Sequence, residues 1–152
     1  MTVKCEKVQQ PERHALVVRT RTPVEQLPQT LGAAYVQIGA LMGEYGVQPA
    51  DAPYVVYYNM DMQDLDVEIG FIFDKPLEGR GDVKPVVYPP MAVATATHKG
   101  PYESLKPTYD ALSAWVQEQE LEPTGVVFEY YPNDPGEVAP EEILTRIEFI
   151  LK

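Results

Sequence analysis

An α+β fold built from two strand–helix–strand–strand units is predicted by three features of this 152-residue sequence. The pattern Pro23, Glu25, Leu27 returns as Pro101, Glu103, Leu105 at a common spacing of about 78 residues, and a shared offset across several positions marks a repeated unit. Within each copy the apolar pattern changes from alternation to a three- and four-residue step and back again. Each helical pattern is followed by two strand patterns, so the order is βαββ–βαββ rather than a regular alternation of strand and helix.

The first copy opens with a strand over residues 15–21, which ends at Thr22-Pro23. The spacing then predicts a helix over residues 24–45, with Leu27, Leu31, Tyr35, Ile38 and Met42 on one face and Gly46 as its stop. Strands follow over residues 54–59 and 66–74. The run Glu78-Gly79-Arg80-Gly81-Asp82, with Pro85, Pro89 and Pro90 after it, reads as the connector between copies.

The second copy opens with a strand over residues 91–97, followed by His98-Lys99-Gly100-Pro101. Tyr102, Leu105, Tyr109, Leu112 and Val116 then form one helical face, with Pro107 in the first turn or two, where a missing amide hydrogen is tolerated. Strands follow over residues 125–131 and 143–151. The last strands of the copies align at the same offset, residues 69–73 against 147–151. The middle strands match less closely, Tyr57-Tyr58-Asn59 against Tyr130-Tyr131-Pro132-Asn133, which requires compensating loop lengths. The expected organisation is a single domain over residues 1–152, with repeat one at about 15–78 and repeat two at about 91–152. Repeats this short cannot each bury an apolar face alone. The copies are therefore expected to pack in pseudo-twofold fashion, with an antiparallel sheet, helices on one face and a ligand cleft between the repeats.

Composition narrows the function. Apolar residues at 45% and charged residues at 23% suit a soluble globular chain. The net charge of −11 repels a phosphate backbone, so direct nucleic-acid binding is not expected, whereas cations are favoured. The single cysteine, Cys5, allows no internal disulfide and suits a reducing interior. The N-terminal residues carry no apolar signal segment, and no stretch approaches the roughly 20 apolar residues of a membrane span. A cytoplasmic location is the expectation.

The segment Val126-Val127-Phe128-Glu129-Tyr130-Tyr131 holds the main chemical anomaly. Alternation puts Val126, Phe128 and Tyr130 on one face and Val127, Glu129 and Tyr131 on the other, so both faces are apolar or aromatic apart from Glu129. An unpaired carboxylate there costs several kcal/mol, enough to raise its pKa or demand a partner. That partner is an organic cation, or else an arginine or tyrosine of the protein itself, unless Glu129 lies near a sheet edge in water. Ten tyrosines supply candidate walls, because a cation over an aromatic face gains roughly 0.5–2 kcal/mol. The candidates by position are Tyr57, Tyr58, Tyr88, Tyr131 and Trp115. Trp115 also fits the helix core beside Leu112 and Val116, and Tyr57 and Tyr58 point to opposite faces. His14 and His98 lack metal-ligand spacing, and no phosphate loop or nucleophile elbow occurs, so neither a metal nor a cofactor is expected.

The run His98-Lys99-Gly100-Pro101-Tyr102-Glu103-Ser104-Leu105, then Tyr109, Leu112 and Trp115, then Glu129-Tyr130 with Asn133-Asp134-Pro135, resembles the GyrI-like small-molecule-binding domain. Asp66-Val67-Glu68-Ile69-Gly70 resembles the family's pattern in the first copy. The resemblance runs from about Ala15 to Lys152. That family also serves as the effector-binding part of multidrug-sensing regulators of the AraC and MerR classes in bacteria. What the resemblance implies is a duplicated βαββ fold, with a cleft where aromatics and a central glutamate, here Glu129, receive lipophilic cations. The regulators carry a helix-turn-helix module, and none is expected from the roughly fourteen residues before the first predicted strand.

Three functions remain open at the level of sequence. One is a stand-alone binder of lipophilic, cationic drugs or metabolites. The second is a hydrolase of strained electrophilic natural products, with Glu129 directing water. The third is a gyrase-inhibitor-like protein that binds a protein partner by charge complementarity.

Overall fold

The computed structural model describes residues 3–152, which fall into two units. In Pro11–Pro90, β2 (Arg13–Thr22) leads through a turn of 3-10 helix to α1 (Leu27–Tyr45). It is followed by β3 (Tyr54–Tyr57), β4 (Leu65–Phe73) and β5 (Lys84–Tyr88). In the other unit β1 (Cys5–Gln10) joins β6 (Met91–Lys99), α2 (Leu105–Glu118), β7 (Pro123–Tyr130) and β8 (Leu144–Leu151). Each unit is an antiparallel four-stranded sheet, ordered β3-β4-β2-β5 in one and β7-β8-β6-β1 in the other. The α+β class and the βαββ duplication stand as predicted.

The pairing register carries the duplication in detail. Val18 lies opposite Ile69 and Ala96 opposite Ile147, each member of the second pair about 78 positions beyond its counterpart. Ala15 lies opposite Val86, and Val93 opposite Val8, with the same shift of about 78 residues for β5 against β1. Each copy therefore has a leading strand, and that strand pairs with the opening strand of the other copy.

This corrects two sequence readings. The region read as a connector holds β5, and the residues before the first predicted strand hold β1. Both strands pair on one side only, so little of their surface needs to be apolar and the alternation that marks a strand is weak. Pro85 misled for the same reason, since a strand at a sheet edge tolerates a missing amide hydrogen.

The helices form where their apolar steps predicted. Gly46 ends α1 at φ 65°, a left-handed conformation that glycine adopts without strain. Pro28 and Pro107 each fall in a first turn, where no intrahelical donor is lost. Under α1 the core is Leu16, Ile38, Leu41, Phe73 and Val83; under α2 it is Ala94, Ala96, Leu112, Val116, Val127, Ile147, Phe149 and Leu151. The opposite face of each sheet carries no helix of its own unit.

The middle strands need an offset of about 74 rather than 78 to superpose, since Val55 pairs Ile69 as Glu129 pairs Ile147. The difference is absorbed by the longer α1 and by a register shift between Pro123 and Val127. Val55, 0% exposed, is thus the counterpart of Glu129. The carboxylate has no equivalent in the first copy.

Candidate functional site

Glu129 lies on β7 directly opposite Ile147, and therefore on the α2 side of its sheet. Its residue exposure is 9%. α2 brings Tyr109 over this position, and the Tyr109 hydroxyl donates to Glu129 Oε2. Tyr131, two positions along the chain and on the same side, donates to Oε1 at 3.0 Å. The two phenols thus hold both carboxylate oxygens. Burial pushes the Glu129 carboxyl above its ordinary value of 4.5, and the two phenol hydrogen bonds pull the other way without cancelling it.

An aromatic wall continues outward. The Tyr102 ring stands edge-on to Tyr131 with centroids 6.2 Å apart, and Tyr102 is 41% exposed. Burial and then the Glu129 charge raise the Tyr102 hydroxyl pKa. On the inner side the Tyr109 ring lies tilted against Phe149. The arrangement is a carboxylate with three tyrosines around it, graded from buried to exposed.

Two further glutamates are more deeply buried, and each has a cation beside it. Glu148, 1% exposed, accepts hydrogen bonds from Tyr130 at 2.9 Å and from Gln10 at 2.7 Å, and Arg146 Nε lies 4.0 Å away. The Arg146 guanidinium stacks over the Tyr130 ring at 3.8 Å. Glu68, 5% exposed, accepts hydrogen bonds from Tyr88 at 2.5 Å and Tyr58 at 3.1 Å, with Arg19 Nη1 at 3.9 Å. Arg19 stacks over the Tyr58 ring at 3.9 Å and is fixed from its other edge by Asp66. Both clusters lie on the sheet faces that the helices leave uncovered. Buried hydrogen-bonded networks of this kind order a core.

Among the described residues, Glu129 is the buried glutamate with no lysine or arginine partner. That difference separates it chemically from Glu68 and Glu148. It carries an uncompensated requirement for positive charge or a proton.

The sequence-predicted residues fall as follows. Tyr131 joins Glu129 directly. Trp115 sits on α2, partly buried against the apolar cluster beneath that helix. Tyr57 and Tyr58 take opposite faces: Tyr57 pairs Val67 on the α1 side, while Tyr58 turns to Glu68. Tyr88 bridges Glu68 and the Tyr54 hydroxyl, the latter at 2.9 Å. Burial raises the hydroxyl pKa of both Tyr58 and Tyr88.

Sequence reasoning did not single out Tyr109, Glu68 or Glu148 as site chemistry. Tyr109 was read as part of the apolar helix face, which it is, and its hydroxyl contact has no local signature. The glutamates did leave a signal, since each sits between apolar neighbours in a final strand, Val67 and Ile69 around Glu68 and Ile147 and Phe149 around Glu148.

The other conspicuous motifs support the site. His98, buried, meets Thr108 Oγ1 at 2.7 Å and Ser104 Oγ at 3.1 Å, tying the end of β6 to the start of α2. Gly100 makes this approach at φ 136°, where a side chain would be strained and would press on the Ser104 hydroxyl and the His98 ring. Asn133 donates to the Glu142 carbonyl and accepts from the Leu144 amide, both at 3.0 Å, closing the loop from β7 to β8. Among the described residues no group of three or more histidine, cysteine, aspartate or glutamate side chains is placed to hold a metal ion, and no helix is long and apolar enough to cross a membrane.

The GyrI-like small molecule binding domain model matches residues 4–152. Among solved structures, EcmrR in its DNA complex is similar at 22% identity and a TM-score of 0.83. That match covers 99% of this chain and 57% of EcmrR, so the chain spans a little over half the length of that relative. A hydrolase from Listeria innocua is similar at 18% identity and a TM-score of 0.70, with 98% of this chain and 92% of that one covered. SAV2435, solved bound to tetraphenylphosphonium, is similar at 10% identity and a TM-score of 0.63, with 100% and 94% covered. These likenesses are of fold. Among curated proteins no relative matches.

Proposed function

The chain belongs to the GyrI-like family of small-molecule-binding domains, and from that membership we propose that Glu129 is the counter-charge for a lipophilic organic cation. The observation that carries this reading is the unmatched charge. Glu68 and Glu148 have arginines beside them, whereas Glu129 has only two phenols. A hydrogen bond from a phenol stabilises a carboxylate without neutralising it, so a cation placed there gains Coulomb energy in a site already shielded from water. An ionised carboxylate has about four lone-pair positions, and the two phenols occupy only two of them.

The tyrosines suit the rest of such a ligand. The Tyr102, Tyr109 and Tyr131 rings offer faces and edges worth roughly 0.5–2 kcal/mol each to a cation, more where water is excluded. Exposed Tyr102 marks the side from which a ligand reaches Glu129. The acidic chain, at −11, raises the local concentration of cations and disfavours contact with a phosphate backbone. The role proposed is that of an effector-type binding module, with direct nucleic-acid contact outside it.

The test uses ligands that differ in charge and little else. Trp115 fluorescence is titrated with tetraphenylphosphonium, which SAV2435 binds in its solved structure, and with tetraphenylborate, an anion of nearly the same shape. Saturable quenching by the phosphonium alone, tighter at about pH 8 than at about pH 5, is the expected result. Equal responses to the two ions would remove the counter-charge role and leave only apolar burial.

A further inference from the structure

Glu129 is 9% exposed, so a lipophilic cation reaches its carboxylate only when part of the cover moves aside. We propose that the turn Tyr102–Ser104 is that part: a flap, hinged at Gly100 and at its join with α2, that opens to admit the cation, with His98 as its catch. The inference rests on the counter-charge role of Glu129 and adds how the site is entered.

The groups that cover Glu129 are not equally fixed. Tyr109 follows Thr108, which is buried and bonded to His98 Nδ1 at 2.7 Å, and the Tyr109 ring lies against Phe149. Tyr131 leads into a loop that Asn133 closes through the Glu142 carbonyl and the Leu144 amide. Tyr102 has neither kind of support. It sits in a short 3-10 turn that buries no residue, and few buried contacts mean a low cost of local opening. Its ring nonetheless stands on the approach to the site, 6.2 Å from that of Tyr131.

The chain on either side of the turn is suited to bending. The Gly100 amide donates to the Ile143 carbonyl at 2.7 Å, so the chain is fixed up to that residue. Its φ of 136° is then a conformation that glycine adopts without strain. At the other end Pro107, the third residue of α2, has no amide hydrogen to give to the carbonyls of the turn. The turn is therefore joined to the helix by an incomplete ladder.

His98 spans the fixed and the moving parts. Its Nδ1 meets Thr108 on the helix, while its Nε2 meets the Ser104 hydroxyl at 3.1 Å and the Pro101 carbonyl at 3.2 Å. A carbonyl can only accept, so Nε2 carries the proton and Nδ1 accepts from the Thr108 hydroxyl. Ser104 Oγ donates in turn to the Pro101 carbonyl at 2.8 Å. Ser104 is exposed, so water replaces these bonds when the flap lifts, and their net hold is small. The imidazole stays on the helix through Thr108, ready to receive the flap again.

The experiment weakens the catch and leaves the site alone. Ser104→Ala removes the hydroxyl at an exposed position, and Ser104→Thr keeps it. In the ligand-free whole chain, hydrogen exchange at the Leu105 amide, which donates to the Tyr102 carbonyl, should quicken by about five-fold in Ser104→Ala, with Leu112 and Val116 unchanged. Stopped-flow Trp115 fluorescence with tetraphenylphosphonium at about pH 8 should show association and dissociation both faster by about the same factor. The Kd should stay within about two-fold of wild type, because the catch closes the flap over the empty and the occupied site alike. Damage to the site itself would raise Kd instead. Ser104→Thr should match wild type in both measurements. The proposal is overturned if Ser104→Ala leaves exchange at Leu105 unchanged, or if exchange quickens while association does not. Exchange needs no ligand: a cation that fails to bind wild type would count against Glu129 as counter-charge, and the Leu105 amide would still decide whether the flap opens on its catch.

Discussion

The Tyr109 hydroxyl on α2 donates to Glu129 Oε2 on β7, a contact across 20 residues of chain that fixes the helix over the buried carboxylate. The hydroxyl of Tyr131 meets the other oxygen. A carboxylate held in this way, with burial raising its pKa and no arginine or lysine beside it, fits the counter-charge role proposed for Glu129.

Glu129→Gln should make the protein more stable at neutral pH. The folded-state pKa of Glu129 lies above its ordinary value of 4.5, so between the two values the native state binds more protons than the unfolded state. Stability therefore falls as pH rises through that window and is level above it. Glutamine removes the loss. Urea denaturation of wild type and variant should show the gain at about pH 7 and its disappearance at about pH 4, below the unfolded value. A variant less stable than wild type at about pH 7 would contradict the account of Glu129 as an unmatched charge.

Tyr109→Phe removes one of the two donors and leaves the ring in place. The Glu129 carboxyl should then move further up, because a hydrogen bond that lowered its pKa is gone. Cation affinity measured against pH should lose its acid limb at a higher pH than in wild type. The lost hydrogen bond should also cost about 1–3 kcal/mol of stability near neutral pH, less once Glu129 is protonated. An unchanged pH profile would mean that Tyr109 does not act on Glu129.

Tyr88→Phe tests the network in the other unit. It removes the 2.5 Å donor to Glu68 and leaves the Tyr54 hydroxyl without the partner it now has at 2.9 Å. A loss of about 1–3 kcal/mol is expected in chemical denaturation. A loss below about 0.5 kcal/mol would show that the network is not buried in the way described.

Gly70→Ala should destabilise by about 1–3 kcal/mol through overpacking. A methyl at this position would stand 2.6 Å from the Leu16 carbonyl oxygen, 2.7 Å from Val17 Cγ1 and 3.0 Å from the Tyr54 hydroxyl. Gly70 lies opposite Tyr54, so the absence of a side chain makes room for the ring that hydrogen-bonds Tyr88. Thermal unfolding of the variant beside Tyr88→Phe would show whether the two act on one network, since their effects should then be less than additive.

What could be read in the sequence was what repeats or alternates. The offset of about 78 residues located both helices and the last strand of each copy, because those elements have strong apolar periods and equal spacing. β1 and β5 were missed because sheet-edge strands need little apolar surface, and Pro85 counted against one of them. Glu129 was legible because it is a charge in a strand with two apolar faces. Its partner Tyr109 was placed on a helix face by its period, but the period does not say what its hydroxyl touches. Glu68 and Glu148 show the limit of the same rule. They too are charges among apolar strand residues, yet Arg19 lies beside Glu68 through a cross-strand pairing that no local window contains, and Arg146 lies two residues before Glu148 on the same strand, where alternation turns both to one face.

The most direct test is a calorimetric titration of wild type and Glu129→Gln with tetraphenylphosphonium at about pH 8, on samples whose folding has been checked by denaturation. If Glu129 supplies the counter-charge, the variant should bind at least about ten-fold more weakly while being no less stable. Equal affinity in the two proteins would contradict the central claim, since the cation would then be held without the charge that the site is proposed to provide.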